Sequence, residues 1–297
     1  MKPAPFRYLR PRTVDEAVAE LARHDGDAKV LAGGQSLVPM MNYRLVRPQV
    51  LVDVNHVPGL DAIEERARGL TIGALVRHRA IEISPVVRER LPVLAGAAEQ
   101  VGHLAIRNRG TFGGALVHND PAAEFPMIAL LLDAKIEVKR QSRERTIAAA
   151  DFFVGPLTTA LEDGELLTSV EIPWLAERTG YGFEELSRRH GDFAIAAAAA
   201  TVTVKDGRCV EARISLGGVG PCAFRAYEAE SVLRDRPIDV ALIERAASAV
   251  RDAADPTSDL HASADFRRHV AGVLAERAIA GAWRRARAAA TKTEERE

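Results

Sequence analysis

Two glycine pairs constrain this chain more than any other feature of its sequence. Lys29, Val30, Leu31, Ala32, Gly33, Gly34, Gln35, Ser36 and Leu37 form an apolar run that ends in Gly-Gly and turns polar, and Thr111-Phe112-Gly113-Gly114 repeats the pattern about eighty residues later. Lacking Cβ atoms, the backbone at such a pair can adopt positive φ and approach a ligand closely, so successive N–H groups can converge on a phosphate. One pair alone reads equally well as a structural turn. Two pairs, each behind an apolar segment, point to one extended, doubly charged ligand gripped from two sides.

At 297 residues, 47% of them hydrophobic, the chain can fill one large or two modest cores. Forty Lys and Arg face 41 acidic residues, and the net charge of −1 argues against a broad surface for nucleic acid. A small anionic ligand needs only a local site. Cys209 and Cys222 cannot build a disulfide framework and are too few to hold an iron–sulfur cluster or a structural zinc unaided. The expected compartment is a reducing cytoplasm. The start of the chain lacks an apolar signal core, and the small apolar run Ala194 to Ala200 is far too short to span a membrane, so no transmembrane segment is expected.

Thr13-Val14-Asp15-Glu16 is a capping box in which Glu16 can reach back to the Thr13 N–H, and it predicts a helix over 13–24. Ala28 to Ala32 and Val50 to Val54 read as short strands, making the opening fifty residues a small β-α-β-like unit with its turn at the glycines. Further strands are predicted at 70–76, 135–139 and 166–172, with helical stretches near 77–90, 91–101 and 125–132. Arg178 to Tyr181 reads as a linker. Strands at about 181–187, 194–204 and 210–219 then follow as a meander, with Lys205-Asp206-Gly207-Arg208 as a hairpin turn. One helix is predicted over about 238–254 and another beginning at an Ser263 N-cap, and the polar tail Thr291 to Glu297 reads as frayed.

The chain contains neither G-x-x-x-x-G-K-[ST] nor a G-x-G-x-x-G opening a helix, which disfavours a kinase or a nicotinamide-binding Rossmann enzyme. After the second glycine pair comes His118-Asn119-Asp120-Pro121-Ala122-Ala123-Glu124, and a carboxylate at that distance from a phosphate cradle suits ribose hydroxyls. The plainer alternatives are a solvated first-turn acid for Glu124, a loop hydrogen-bonder for His118 and a core aromatic for Phe193. Gly217-Gly218-Val219-Gly220-Pro221 reads better as a strand end with a turn than as a third anion loop.

Lys29 to Ser36, Ile106 to Gly114, Asp120 to Glu124, Gly164 to Leu167 and Arg188 to Ala194, in this order, resemble the FAD-binding medium subunit of molybdenum hydroxylases, the xanthine dehydrogenase and aerobic carbon monoxide dehydrogenase family. The resemblance covers nearly the whole chain. It implies an α+β fold: a two-lobed FAD-binding domain of vanillyl-alcohol-oxidase (PCMH) type over 1–176, with lobes of about 1–55 and 56–176, then a C-terminal domain over 177–290 with a three-stranded antiparallel sheet and a helical bundle. By that likeness Ala32 to Ser36 and Thr111 to Gly114 hold the pyrophosphate through backbone groups. Lys29, Val30 and Leu31 line the adenosine side, Glu124 meets the ribose, His118, Asp120 and Leu166 lie near the cofactor, and Phe193 stands beside the flavin ring. Glu184 and Glu185 occupy positions where the family often carries a Lys for the N1/C2=O edge of the flavin, so either Arg188 or Arg189 supplies that charge or neither does and the flavin potential is lower than in relatives with the Lys. No residue of this chain is implied to be catalytic or to bind a metal. Molybdopterin and 2Fe-2S clusters would belong to a large and a small partner subunit, in a dimer of heterotrimers, with FAD passing electrons to NAD, oxygen or a quinone. The alternatives are a stand-alone flavin oxidoreductase of the same fold and a non-catalytic scaffold.

Overall fold

Thr13 begins the first helix as its sequence demands. Its hydroxyl accepts the Glu16 N–H at 3.1 Å, but the Glu16 carboxylate turns to the Arg12 N–H at 2.6 Å rather than to that of Thr13, so the reciprocal half of the box closes one residue earlier than expected. The computed structural model describes residues 2–24 and 26–294. Its first part contains β1 (Arg7–Leu9), α1 (Val14–Arg23), β2 (Ala28–Leu31), α2 (Leu37–Asn42) and β3 (Val50–Asp53). The three strands form a parallel sheet in the order β1-β3-β2, with α1 packing Ala17, Val18 and Leu21 onto Val50 and Val52. In such a sheet the carboxyl ends of all strands point one way, and ligands collect there. The first glycine pair follows the carboxyl end of β2.

The second part contains β4 (Ile63–Arg66), β5 (Gly69–Gly73), α3 (His78–Ile83), α4 (Pro85–Arg90), α5 (Pro92–Gln100), α6 (Leu104–Arg107), α7 (Phe112–His118) and α8 (Glu124–Leu131). It continues with β6 (Lys135–Arg140), β7 (Arg143–Ala148), α9 (Ala149–Phe152), β8 (Phe153–Gly155), β9 (Thr158–Thr159) and β10 (Leu166–Pro173). An antiparallel sheet of order β4-β5-β10-β6-β7 packs Leu70, Ile72, Ile136, Val138 and Val170 against α5, α7 and α8. The helical stretch expected over 77–90 is two helices, because Ser84 adopts an extended ψ of 122° ahead of Pro85.

The third part contains β11 (Thr179–Leu186), β12 (Ala196–Lys205), β13 (Arg208–Gly217), β14 (Phe224–Arg225), α10 (Tyr227–Leu233), α11 (Val240–Ala253) and α12 (Ala264–Glu294). The predicted meander is present as β11-β12-β13, with Asp206 and Gly207 at φ 50° and 71° in its hairpin, and the two-residue β14 adds a fourth strand. Residues 178–181 are not a linker: the strand starts at Thr179. Gly180 and Gly182 within it let α12 lie directly on the sheet. A Cβ at Gly180 would come within 2.0 Å of the Ala282 carbonyl oxygen, and one at Gly182 within 2.0 Å of that of Ala278. From Ala194 to Ala200 every side chain is buried; Ala197 and Ala199 face the core beneath α8, while Ala196, Ala198 and Ala200 face α12. Ser263 accepts the Phe266 N–H as the predicted N-cap of α12, which runs through residues 291–294 of the expected frayed tail; 295–297 lie outside the described residues. Gly217 ends β13 and Gly218 turns the chain at φ 74°, as a strand end with a turn requires.

Candidate functional site

The first glycine pair meets the segment just before the second, at Arg109 and Gly110. An added Cβ at Gly33 would lie 2.4 Å from the Arg109 carbonyl oxygen and 2.8 Å from the Gly110 Cα, so backbone touches backbone where the loops cross. Gly34 has φ 71°, which sends the chain back into α2. Beside this crossing opens a cleft of about 610 Å³, within the size range of cofactor sites. It is lined by Leu31, Ala32, Gly33, Gly34, Gln35, Val38, Pro39, Asp53, Asn55, Arg77, Asn108 and Arg109.

Among the described residues the backbone N–H groups of Gly33, Gly34, Gln35, Ser36 and Leu37 donate to no protein acceptor, whereas Val38 N–H already returns to the Gly34 carbonyl at 3.1 Å. Five consecutive amides without a protein acceptor, on half-buried residues of which Gly33, Gly34 and Gln35 line the cleft, suit a nest for an anion. The second loop differs. Phe112 N–H bonds the Val76 carbonyl at 2.9 Å, Gly113 N–H that of Ala74 at 3.0 Å, and Gly114 N–H the Thr111 hydroxyl at 3.2 Å. Those three amides are spent on the fold. The glycines of this loop serve close packing within the protein. A Cβ at Gly113 would lie 2.8 Å from Ala74, and one at Gly110 2.6 Å from the His78 ring.

Of the residues expected at the site, Leu31 to Gln35 line the cleft and Ser36 and Leu37 extend the nest. Lys29 is exposed and Val30 half-buried on β2 beside them, while Thr111 caps α7 at the loop crossing. Leu166 is buried with Val18 and Leu75 in the core under the first sheet. His118 and Asp120 are half-buried at the end of α7, and Arg189 and Phe193 are exposed in the loop after β11. That loop rests on the segment leading to Arg109, since a Cβ at Gly191 would meet the His103 ring at 2.6 Å.

Asp53, Asn55, Arg77, Asn108 and Arg109 were not anticipated. The signal for the first two was available: Asp53 ends a strand that is otherwise apolar and Asn55 follows it at the carboxyl end, where a parallel sheet places its ligand contacts. Asn55 donates to the Ala32 carbonyl at 2.8 Å and the Leu31 carbonyl at 3.3 Å, and accepts from Arg77 at 2.8 Å. Burial works to raise the Asp53 carboxyl, but hydrogen bonds from Tyr8 and Asn55 outweigh it and hold the group below the usual range.

Glu124 is 7% exposed, and burial, together with the nearby Glu185 and Asp120, pushes its carboxyl up to about 8. Burial also raises Glu185 to about 7, and its Oε2 has no hydrogen-bond partner. His78, with Phe125 against its ring and neither nitrogen bonded, is lowered by burial to about 4. The signs oppose one another. Between the ordinary Glu value of 4.5 and about 8 the folded chain holds protons that the unfolded chain has lost, so stability falls as pH rises through that window. His78 contributes above its ordinary 6.5, and its contribution is lost as pH falls through about 4. The melting temperature of the cofactor-free chain is expected to peak in mild acid and to drop by roughly 5 °C towards pH 8. Glu185→Gln is expected to make the alkaline decline shallower; an identical pH profile for the variant would refute the coupling.

Residues 4–175 match the family model of the FAD binding domain in molybdopterin dehydrogenase, and residues 181–282 match that of the CO dehydrogenase flavoprotein C-terminal domain. The 6-hydroxypseudooxynicotine dehydrogenase complex subunit alpha of Paenarthrobacter nicotinovorans is 42% identical, over 97% of this chain and 97% of that one. The carbon monoxide dehydrogenase medium chain of Hydrogenophaga pseudoflava is 36% identical over 96% of this chain and 99% of its own. Among solved structures, quinoline 2-oxidoreductase from Pseudomonas putida 86 superposes with a TM-score of 0.92 at 39% identity, covering 96% of this chain and 99% of the other. Close backbone approach at Gly33, a nest of five amides and a cleft at the carboxyl ends of a parallel sheet suit the pyrophosphate of FAD. With this fold and these matches over nearly its whole length, the chain belongs to the FAD-binding medium subunits of the molybdenum hydroxylases, the carbon monoxide and xanthine dehydrogenase family of oxidoreductases.

Proposed function

We propose that this chain is the electron-transfer subunit of a three-part molybdenum hydroxylase, taking electrons from an iron–sulfur partner and delivering them to NAD, oxygen or a quinone. Bound FAD supplies the two-electron storage that such a relay needs. The observation that carries the reading is the run of amides from Gly33 to Leu37 without a protein acceptor, whose first three residues line the cleft. In this reading the nest holds the pyrophosphate, Lys29 to Leu31 border the adenosine and Thr111 to Gly114 close the far wall. Glu124 meets the ribose, His118, Asp120 and Leu166 support the cofactor's surroundings, and Phe193, 68% exposed, screens the ring together with Arg189. Residues 1–176 form the FAD-binding domain and 177–290 the C-terminal domain. Substrate chemistry belongs to a large molybdopterin subunit, in a cytoplasmic dimer of heterotrimers.

Expression with the neighbouring coding sequences tests this. A yellow complex is expected, with one FAD for each copy of this chain and with iron, sulfide and molybdenum in the partners. A colourless chain that takes up no added FAD would refute the cofactor assignment, and substrate oxidation by this chain alone would refute the division of labour.

A further inference from the structure

Most deeply placed arginines of this chain are matched to a carboxylate. Arg107 pairs with Glu82, Arg145 with Glu165, Arg225 with Glu230 and Arg267 with Asp259, each between 2.7 and 2.8 Å. Arg77, half-buried, and Arg109, exposed, both line the cleft, and among the described residues neither forms an ion pair. Arg77 instead donates to two neutral acceptors, the Asn55 side-chain oxygen at 2.8 Å and the Arg109 carbonyl. The one acid lining the cleft, Asp53, is engaged by Tyr8 and Asn55. Two guanidinium groups close enough to repel therefore share the cleft with Gly33, Gly34 and Gln35, and with one carboxylate, Asp53, that pairs with neither of them.

The connections of Arg77 run to both loops. Through Asn55 it reaches the Leu31 and Ala32 carbonyls that precede the first glycine pair, and through the Arg109 carbonyl it grips the strand of backbone against which Gly33 packs. Asn55 is anchored in turn by Asp53 and Tyr8 on the parallel sheet. We propose that Arg77 is a charged strut: it fixes the spacing of the two glycine loops, and with Arg109 it supplies the positive charge that recognises a diphosphate. This rests on the FAD reading above and adds the residue that selects for the cofactor's phosphates. A planar fork with two donors committed to the protein keeps its remaining N–H edge and its full charge for the ligand.

The test uses the full-length chain stripped of flavin and titrated with FAD, following flavin fluorescence at several salt concentrations. Arg77→Met is expected to weaken FAD binding by at least about tenfold and to flatten the dependence of affinity on salt, because a charge contact has been lost. Arg77→Lys is expected to restore the salt dependence while leaving affinity below wild type, since lysine returns the charge without the fork. Asn55→Ala, which removes the strut's footing and no charge, is expected to lower affinity with the salt dependence intact. Far-UV circular dichroism confirms that each variant is folded. Binding by Arg77→Met within about twofold of wild type, or weakened with an unchanged salt dependence, overturns the proposal while leaving the FAD reading in place. Wild-type protein that binds no FAD overturns both.

Discussion

Gly33→Ala is expected to abolish FAD retention while leaving the chain folded. The methyl group would have to occupy a point 2.4 Å from the Arg109 carbonyl oxygen, and that atom belongs to a backbone held by its neighbours. Relief requires the two loops to part by about 1 Å, and a displacement of that size in a positioned site typically costs about a hundredfold. Equilibrium dialysis against FAD is expected to show at least that loss. Gly34→Ala makes the informative comparison. Its added Cβ meets the side chains of Leu31 and Val38 at 3.0 and 3.2 Å, which can yield, so the cost is mainly that of holding alanine at φ 71°, about 1 kcal/mol. If Gly34→Ala proves the more damaging of the two, close approach at the loop crossing is not what makes the site.

The second large effect concerns stability. Gly182→Ala is expected to destabilise the chain by about 3 kcal/mol or more, seen as a fall of roughly 10 °C in melting temperature. At this position α12 meets β11 backbone to backbone, and the alanine seam of Ala278, Ala282 and Ala286 leaves nothing flexible to give way. Gly180→Ala is expected to act likewise, since its methyl would lie 2.3 Å from the Ala286 nitrogen as well as 2.0 Å from the Ala282 oxygen. The double variant is expected to cost less than the sum, because a helix lifted by one methyl has already made room for the other. A loss below about 1 kcal/mol for either single change would mean that α12 can slide along the sheet.

These two glycine sites show what sequence patterns convey and where they stop. The Thr13 cap, the Asp206-Gly207 hairpin and the Ser263 cap depend on residues within a few positions of one another, and each is found where the pattern places it. Gly180 was misread as part of a linker because its reason lies about a hundred residues away, in the backbone of α12. The strands β4 and β7 escaped notice for another reason. They form the two edges of their sheet, and edge strands such as Ile63-Glu64-Glu65-Arg66 carry charges in place of an apolar alternation. At the site, the glycine pairs were visible as places for close approach, but which amides are taken depends on the carbonyls of Ala74 and Val76 in the segment after β5. The partnership of Glu124 with Glu185 joins a helix start to a strand in a different sheet, and no local spacing foretells it.

The unequal commitments of the two loops also set an order of assembly. The second loop closes its hydrogen bonds onto Ala74, Val76 and Thr111 with the protein's own groups, so that wall is complete once the chain has folded. The first loop has five amides whose partners must come from outside, and in the free chain those hydrogens exchange with solvent at nearly the rate of an open backbone. On the function proposed above, bound cofactor supplies those partners to a chain that has already folded. Slowed deuterium uptake at Gly33 to Leu37 then serves as a direct gauge of how much of a preparation has been loaded.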